Sequence, residues 1–144
     1  MKDEFQKCLE KRKIIPSPSM VGMVEKELKI AFGDLAEAED RFQNCRFKWC
    51  TVTSYYAMFH AARALLYSKG YKERSHYCPS VALFDLYVNP GKMEARLVRA
   101  FTNAMRLRED ADYANEYSEE GARQALVKAK EFLQKTHEVL TNVQ

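Results

Sequence analysis

From Phe47 to Lys69 the chain carries neither glycine nor proline, is dense in alanine and aromatic residues, and stops at Gly70. A glycine just past such a run is suited to the left-handed position that closes a helix. This stretch predicts one long helix, with the clearest boundaries in the chain. The other breakers are few: Pro16 and Pro18 in one cluster, Pro79 alone, and Asn89-Pro90-Gly91. Spacing of this kind predicts long helices joined by short turns.

One helix is expected to begin after Ser17-Pro18-Ser19, with Val24, Leu28, Ala31, Leu35, Ala38 and Phe42 recurring at steps of three and four, and to end near Asn44. A shorter one is read from about His76 to Tyr87, with Pro79 in its first turn. Two more run from about Lys92 to Tyr113 and, capped by Ser118, to about Leu140. No strand alternation competes. Residues 1–19 are read as an N-terminal arm, a short helix followed by an extended stretch, and residues 20–144 as the domain. The expected fold is all-α, an antiparallel up-and-down bundle of about five helices.

With 144 residues, 47% of them hydrophobic and 30% charged, the chain is long enough for one core without staples. Charge interrupts every apolar stretch before the length a membrane span needs, and the first residues lack a signal-peptide core, so a cytoplasmic, non-membrane protein is expected. Cys8, Cys45, Cys50 and Cys78 form no Cys-x-x-Cys pair and are read as reduced thiols. His60, His76 and His137 are too scattered to suggest a zinc site. No metal and no cofactor is expected.

Charge is unevenly spread. Residues 41–108 hold twelve Lys or Arg against three acids, a balance of +9 within a chain whose total is +3, so the flanks carry −6. Either acidic outer helices complement basic inner ones, or an electropositive surface attracts the phosphate of a nucleotide or RNA. On the long helix, ~100° per residue places Trp49, Tyr56, His60, Arg63 and Tyr67 in one stripe flanked by Val52 and Phe59. The rings could pack in the bundle while His60 and Arg63 bond carboxylates of neighbouring helices, or they could stack on a base. On the next long helix Leu97, Phe101, Ala104, Met105 and Ala111 form an apolar arc. Arg99, Asn103, Arg106, Glu109, Asp110 and Tyr113 lie opposite, as a surface network or as a phosphate site centred on Arg106.

Two segments carry a resemblance. Ser54-Tyr55-Tyr56-Ala57-Met58-Phe59-His60-Ala61-Ala62-Arg63, continuing through Gly70-Tyr71, and Ala104-Met105-Arg106-Leu107-Arg108-Glu109-Asp110-Ala111-Asp112-Tyr113 resemble the HEPN family, in its compact prokaryotic subgroup. The resemblance spans about residues 20–140. It implies a helical bundle, a homodimer, and a nucleotidyltransferase partner in a toxin–antitoxin module. Many members are metal-independent endoribonucleases with Arg followed after four to six residues by His. No arginine here stands at that interval before a histidine; Arg106 leads instead to Asp112 and Tyr113. A ribonuclease would then draw on Arg106 with His60 or His76, since imidazole can move a proton and guanidinium can steady phosphate at neutral pH.

The expected nucleotide or RNA contacts are Tyr56, His60, Arg63, Arg99, Asn103, Arg106, Asp110 and Tyr113. Three roles stay open: a nucleotide-binding or RNA-binding partner of a nucleotidyltransferase, an endoribonuclease, and a dimeric interaction scaffold. Some family partners attach nucleotide to a HEPN tyrosine, which makes Tyr113 and Tyr117 further candidates.

Overall fold

The computed structural model describes residues 3–142; residues 1, 2, 143 and 144, which the expected arm and domain ranges include, lie outside it. Asp3 starts helix α1 (Glu4–Glu10) by accepting from the Gln6 amide at 2.8 Å. The chain then turns at Arg12, whose φ of 56° is left-handed, into strand β1 (Ile14–Pro16). A 3-10 segment, Pro18–Met23, leads into α2 (Val24–Gln43), a tight loop leads into α3 (Phe47–Ser68), and β2 (Tyr71–Glu73) follows. Next come α4 (Cys78–Leu83), which continues as a π-helical turn over Phe84–Val88, then α5 (Ala95–Tyr113) and α6 (Glu119–Thr141). The all-α bundle expected from the sequence is the architecture observed, with α2 to α6 as its five main helices.

Helix α3 is the axis of the bundle and packs against α2, α5 and α6. Its Ala57, Met58, Ala61, Ala64, Leu65 and Leu66 are fully buried, as the apolar character all round the helix requires. Gly70, at φ 77°, closes it as expected. Ser118 caps α6 by accepting from the Gly121 amide at 2.9 Å. Tyr87, in the π-helical turn, is buried and donates to the Leu65 carbonyl at 2.7 Å, tying α4 back to α3.

Three expectations are corrected. Helix α2 starts at Val24, because Pro18 opens a 3-10 turn and the Ser17 side chain makes no capping bond. A two-stranded antiparallel ribbon exists where no strand was expected, pairing Ile14 with Glu73, Ile15 with Lys72 and Pro16 with Tyr71. Strands of three residues are too short for alternation to show. Cys8 and Cys78 form a disulfide, with Cα atoms 6.0 Å apart, rather than two thiols. Local spacing is silent about residues 70 apart, and the contact exists because α1 lies on α4 with Phe5, Cys8 and Ile14 in the core. Of the other two, Cys45 is exposed and free, and Cys50 is buried, its thiol pKa pushed up by burial.

A strip along helices α3 and α5

Thr53, Tyr56, Phe59, His60 and Arg63 form a line of partly exposed residues on α3, between the buried faces that meet α2 and α5. Tyr67, expected in the same stripe, is buried beneath the Arg63 guanidinium, and Trp49 stands apart under Lys48. Phe59 joins the rest. Its ring stacks on Tyr55 at 6.0 Å, meets His60 edge-on at 5.6 Å, lies 6.3 Å from His76, and has Arg63 over it at 5.2 Å. Both candidate histidines therefore flank one phenylalanine.

On the α2 side the strip is saturated with carboxylate. Glu27, buried on α2, bonds His60 Nδ1 at 2.6 Å and lies 3.7 Å from Arg63. Arg63 also donates from Nε to Glu73 at 3.1 Å. Burial works against the Arg63 charge, but Glu73, Tyr67 and Glu27 more than offset it and hold its pKa above the ordinary guanidinium value. Asp34 lies 3.9 Å from His60 Nε2, and burial raises its pKa although His60 draws it down. The bonds to neighbouring carboxylates that sequence analysis left open for His60 and Arg63 are thus made.

The α5 side is different, and its cation is Arg108 rather than Arg106. Arg108 donates to the Tyr56 hydroxyl at 2.7 Å, and its guanidinium carbon lies 5.9, 5.3 and 5.2 Å from the ring centres of Tyr55, Tyr56 and Tyr113. Among the described residues its one carboxylate partner is Asp112, 3.5 Å away, and its buried Nε has no hydrogen-bond partner. Burial works against this charge too, and Tyr56, Tyr113 and Asp112 outweigh it, raising the pKa. Tyr55 beneath is buried, its phenol pushed up to about 12 by burial, and it stacks on Phe101 at 6.0 Å. Tyr113 is 75% exposed, so the guanidinium sits between a rigid aromatic floor and a phenol open to solvent.

The remaining candidates separate from the strip. Arg106 is exposed and donates to Asn103 Oδ1 at 2.6 Å. Arg99 lies over the Phe84 ring, and Asp110 is exposed, its carbonyl accepting from the Ala114 and Glu116 amides at the end of α5. Of the expected contacts, Tyr56 and Tyr113 meet through Arg108, while His60 and Arg63 meet through Glu27. Sequence reasoning missed both mediators. A signal existed for each: Arg108 stands seven residues after Phe101 and three before Ala111, on the apolar arc, and Glu27 shares a stripe with Ala31 and Ala38. Among the described residues no group of three or more His, Cys, Asp or Glu is placed to hold a metal ion, and no helix is long and apolar enough to cross a membrane.

Residues 24–139, from the start of α2 almost to the end of α6, match the family model of the HEPN domain. The chain is 31% identical over 118 residues to a Methanocaldococcus jannaschii protein named "Putative toxin MJ0605", a match covering 81% of this chain and 87% of the relative. It is 32% identical over 120 residues to a UPF0332 protein of Archaeoglobus fulgidus, covering 78% and 93%. A third relative, UPF0332 protein PH1297 of Pyrococcus horikoshii, is 35% identical over 82 residues, covering 56% and 57%. With the model spanning all five main helices and the strip between them, the chain is a member of the HEPN family.

Proposed function

We propose that this HEPN protein is the RNA-binding or nucleotide-binding component of a toxin–antitoxin-type module, acting with a nucleotidyltransferase partner, and that Arg108 takes the phosphate. The observation that carries this reading is the setting of Arg108: aromatic rings hold its charge in place, yet a single carboxylate at 3.5 Å offsets it. A guanidinium so placed keeps donors and field for a phosphate, with the open Tyr113 ring as a stacking surface. The name of the Methanocaldococcus jannaschii relative supports the toxin–antitoxin setting.

Metal-independent RNA cleavage is a second reading, favoured by one observation. Glu27 binds His60 Nδ1, which fixes the ring and leaves Nε2 as the nitrogen able to move a proton. The test is an assay on total RNA in EDTA, with RNA and ATP titrations alongside, comparing wild type, Arg108→Ala, Arg106→Ala and His60→Ala. Binding is expected to fall at least tenfold in Arg108→Ala and to stay within twofold in Arg106→Ala. Cleavage lost in Arg108→Ala and in His60→Ala would establish the enzyme. Equal binding by wild type and Arg108→Ala would remove the phosphate site.

The homodimer is part of the same proposal. Light scattering at micromolar protein is expected to give about twice 16.8 kDa, and a 16.8 kDa particle would overturn it.

A further inference from the structure

The short ribbon of β1 and β2 gathers cations from two distant parts of the chain. Lys11, Arg12 and Lys13 follow α1 and are exposed, and the Arg74 amide donates to the Lys13 carbonyl at 2.7 Å, so the ribbon continues one residue beyond β1 and β2. Strand alternation then sorts the charges. Ile14 and its partner Glu73 face inward, where Glu73 is spent on Arg63, while Lys72 and Arg74 share the outer face. Among the described residues, Glu10 aside, no carboxylate forms an ion pair with Lys11, Arg12, Lys13, Lys72 or Arg74.

Helix-dipole stabilisation accounts for cations after α1 but not for those contributed by β2. Arg12, at φ 56°, takes the left-handed position that ends α1, where the Lys13 amide donates to the Cys8 carbonyl at 2.9 Å, and its side chain is exposed. Beside the ribbon, His76 and Tyr77 are exposed, and the 59% exposed Tyr77 is fixed in place because its hydroxyl donates to Glu4 at 2.7 Å. The buried Cys8–Cys78 disulfide joins α1, which precedes one cationic segment, to the start of α4, which follows the other. Tyr77 also lines a groove of about 400 Å³ together with Asp3, Glu4 and Asp85, acids that disfavour phosphate inside it.

We infer that the ribbon is a second RNA contact, a backbone-tracking surface for single-stranded RNA in which Lys11, Arg12, Lys13, Lys72 and Arg74 meet phosphates and Tyr77 stacks on a base. Cations beside an immobilised open ring are the means by which single strands are held without regard to sequence. This deepens the reading of the protein as an RNA binder, adding a surface built from elements other than the Arg108 strip.

The experiment is fluorescence anisotropy of labelled oligouridylate across a salt series, with the oxidised full-length protein. The variants are wild type, the quadruple Lys11→Gln, Arg12→Gln, Lys13→Gln, Arg74→Gln, the single Arg12→Gly and Tyr77→Ala, and Arg108→Ala. The quadruple variant is expected to lose at least tenfold in affinity at low salt and to flatten the log–log salt dependence by up to about 3, at roughly 0.7 per phosphate contact in a single strand. Tyr77→Ala is expected to weaken binding about tenfold with the slope kept, because stacking is not a salt effect. Arg12→Gly is expected to raise the unfolding midpoint while lowering RNA affinity, a pair of changes that a purely structural arginine would not give.

An unchanged affinity and slope in the quadruple variant overturns the ribbon, whatever Arg108→Ala does. Loss in the quadruple variant with Arg108→Ala at wild-type affinity supports the ribbon and sinks the Arg108 site. If wild type ignores RNA but binds polyglutamate through the same four cations, the surface is for acidic protein and the inference fails.

Discussion

On the α2 side of the strip, His60 and Arg63 face carboxylates at 2.6 and 3.1 Å, whereas on the α5 side Arg108 faces three phenol rings and one aspartate at 3.5 Å. Arg63 lies 5.2 Å from the Phe59 ring and Arg108 5.9 Å from its stacking partner Tyr55, so the two arginines share a scaffold and differ in compensation. A charge answered by buried carboxylates has its field cancelled where it stands and serves to bind α2 and β2 to α3. A charge held by rings is oriented without being neutralised, because quadrupoles attract a cation and leave its net charge intact. Geometry therefore separates two arginines that composition cannot tell apart.

The comparison breaks most visibly at Glu27. Removing one partner of a buried, hydrogen-bonded charge set leaves the others uncompensated, so Glu27→Ala is expected to cost about 3 kcal/mol or more in urea unfolding at pH 7. The double change Glu27→Ala with Arg63→Met should recover part of that loss, since it removes a stranded charge along with its partner. A Glu27→Ala protein as stable as wild type would show that the carboxylate side is not a clamp, and the contrast with Arg108 would collapse.

A smaller effect tests the ring side. Arg108 and Tyr113 form a double-mutant cycle, with Arg108→Met and Tyr113→Ala as the single changes, for which a coupling of about 0.5–1 kcal/mol is expected. The gain lies in the contrast with function: Arg108→Met should lose RNA or nucleotide binding far more than it loses stability. Comparable losses in both would make Arg108 a packing residue and return it to the same category as Arg63.

How much of this was legible in the sequence follows from the range of each signal. Helix α3, its stop at Gly70 and the Ser118 cap are local, and they were readable because each depends on residues within a turn or two. The ribbon and the Cys8–Cys78 bridge depend on contacts between residues about 55 to 70 apart, which no window contains. The stripe of Tyr56, His60 and Arg63 was found, but its partners were not. Glu27 stands among many acids on an amphipathic helix, and Arg108 lies off the polar arc of α5 that holds Arg106. In both cases a charge on an apolar stripe was the informative feature, since such a residue must find a partner inside the fold.

The finest probe of the contrast is Asp34, which faces the saturated side at 3.9 Å from His60 Nε2. Burial raises its pKa above the ordinary 3.8, Glu37 pushes in the same direction, and His60 and Arg41 pull it down without prevailing. A carboxyl whose folded-state pKa is raised contributes stability that is complete below the unfolded value and is lost as pH climbs through the folded one. At pH 7 wild type therefore carries a cost that Asp34→Asn does not. The variant is expected to be slightly more stable at pH 7, within about 0.5 kcal/mol for so accessible a site, with the gap closing as pH falls toward 4. Urea midpoints measured in steps between those limits decide it. A gap of opposite sign, with wild type the more stable at pH 7, would mean that His60 holds Asp34 as a true ion partner. In that case His60 Nε2 is occupied, and the reading in which that nitrogen moves a proton during RNA cleavage loses its group.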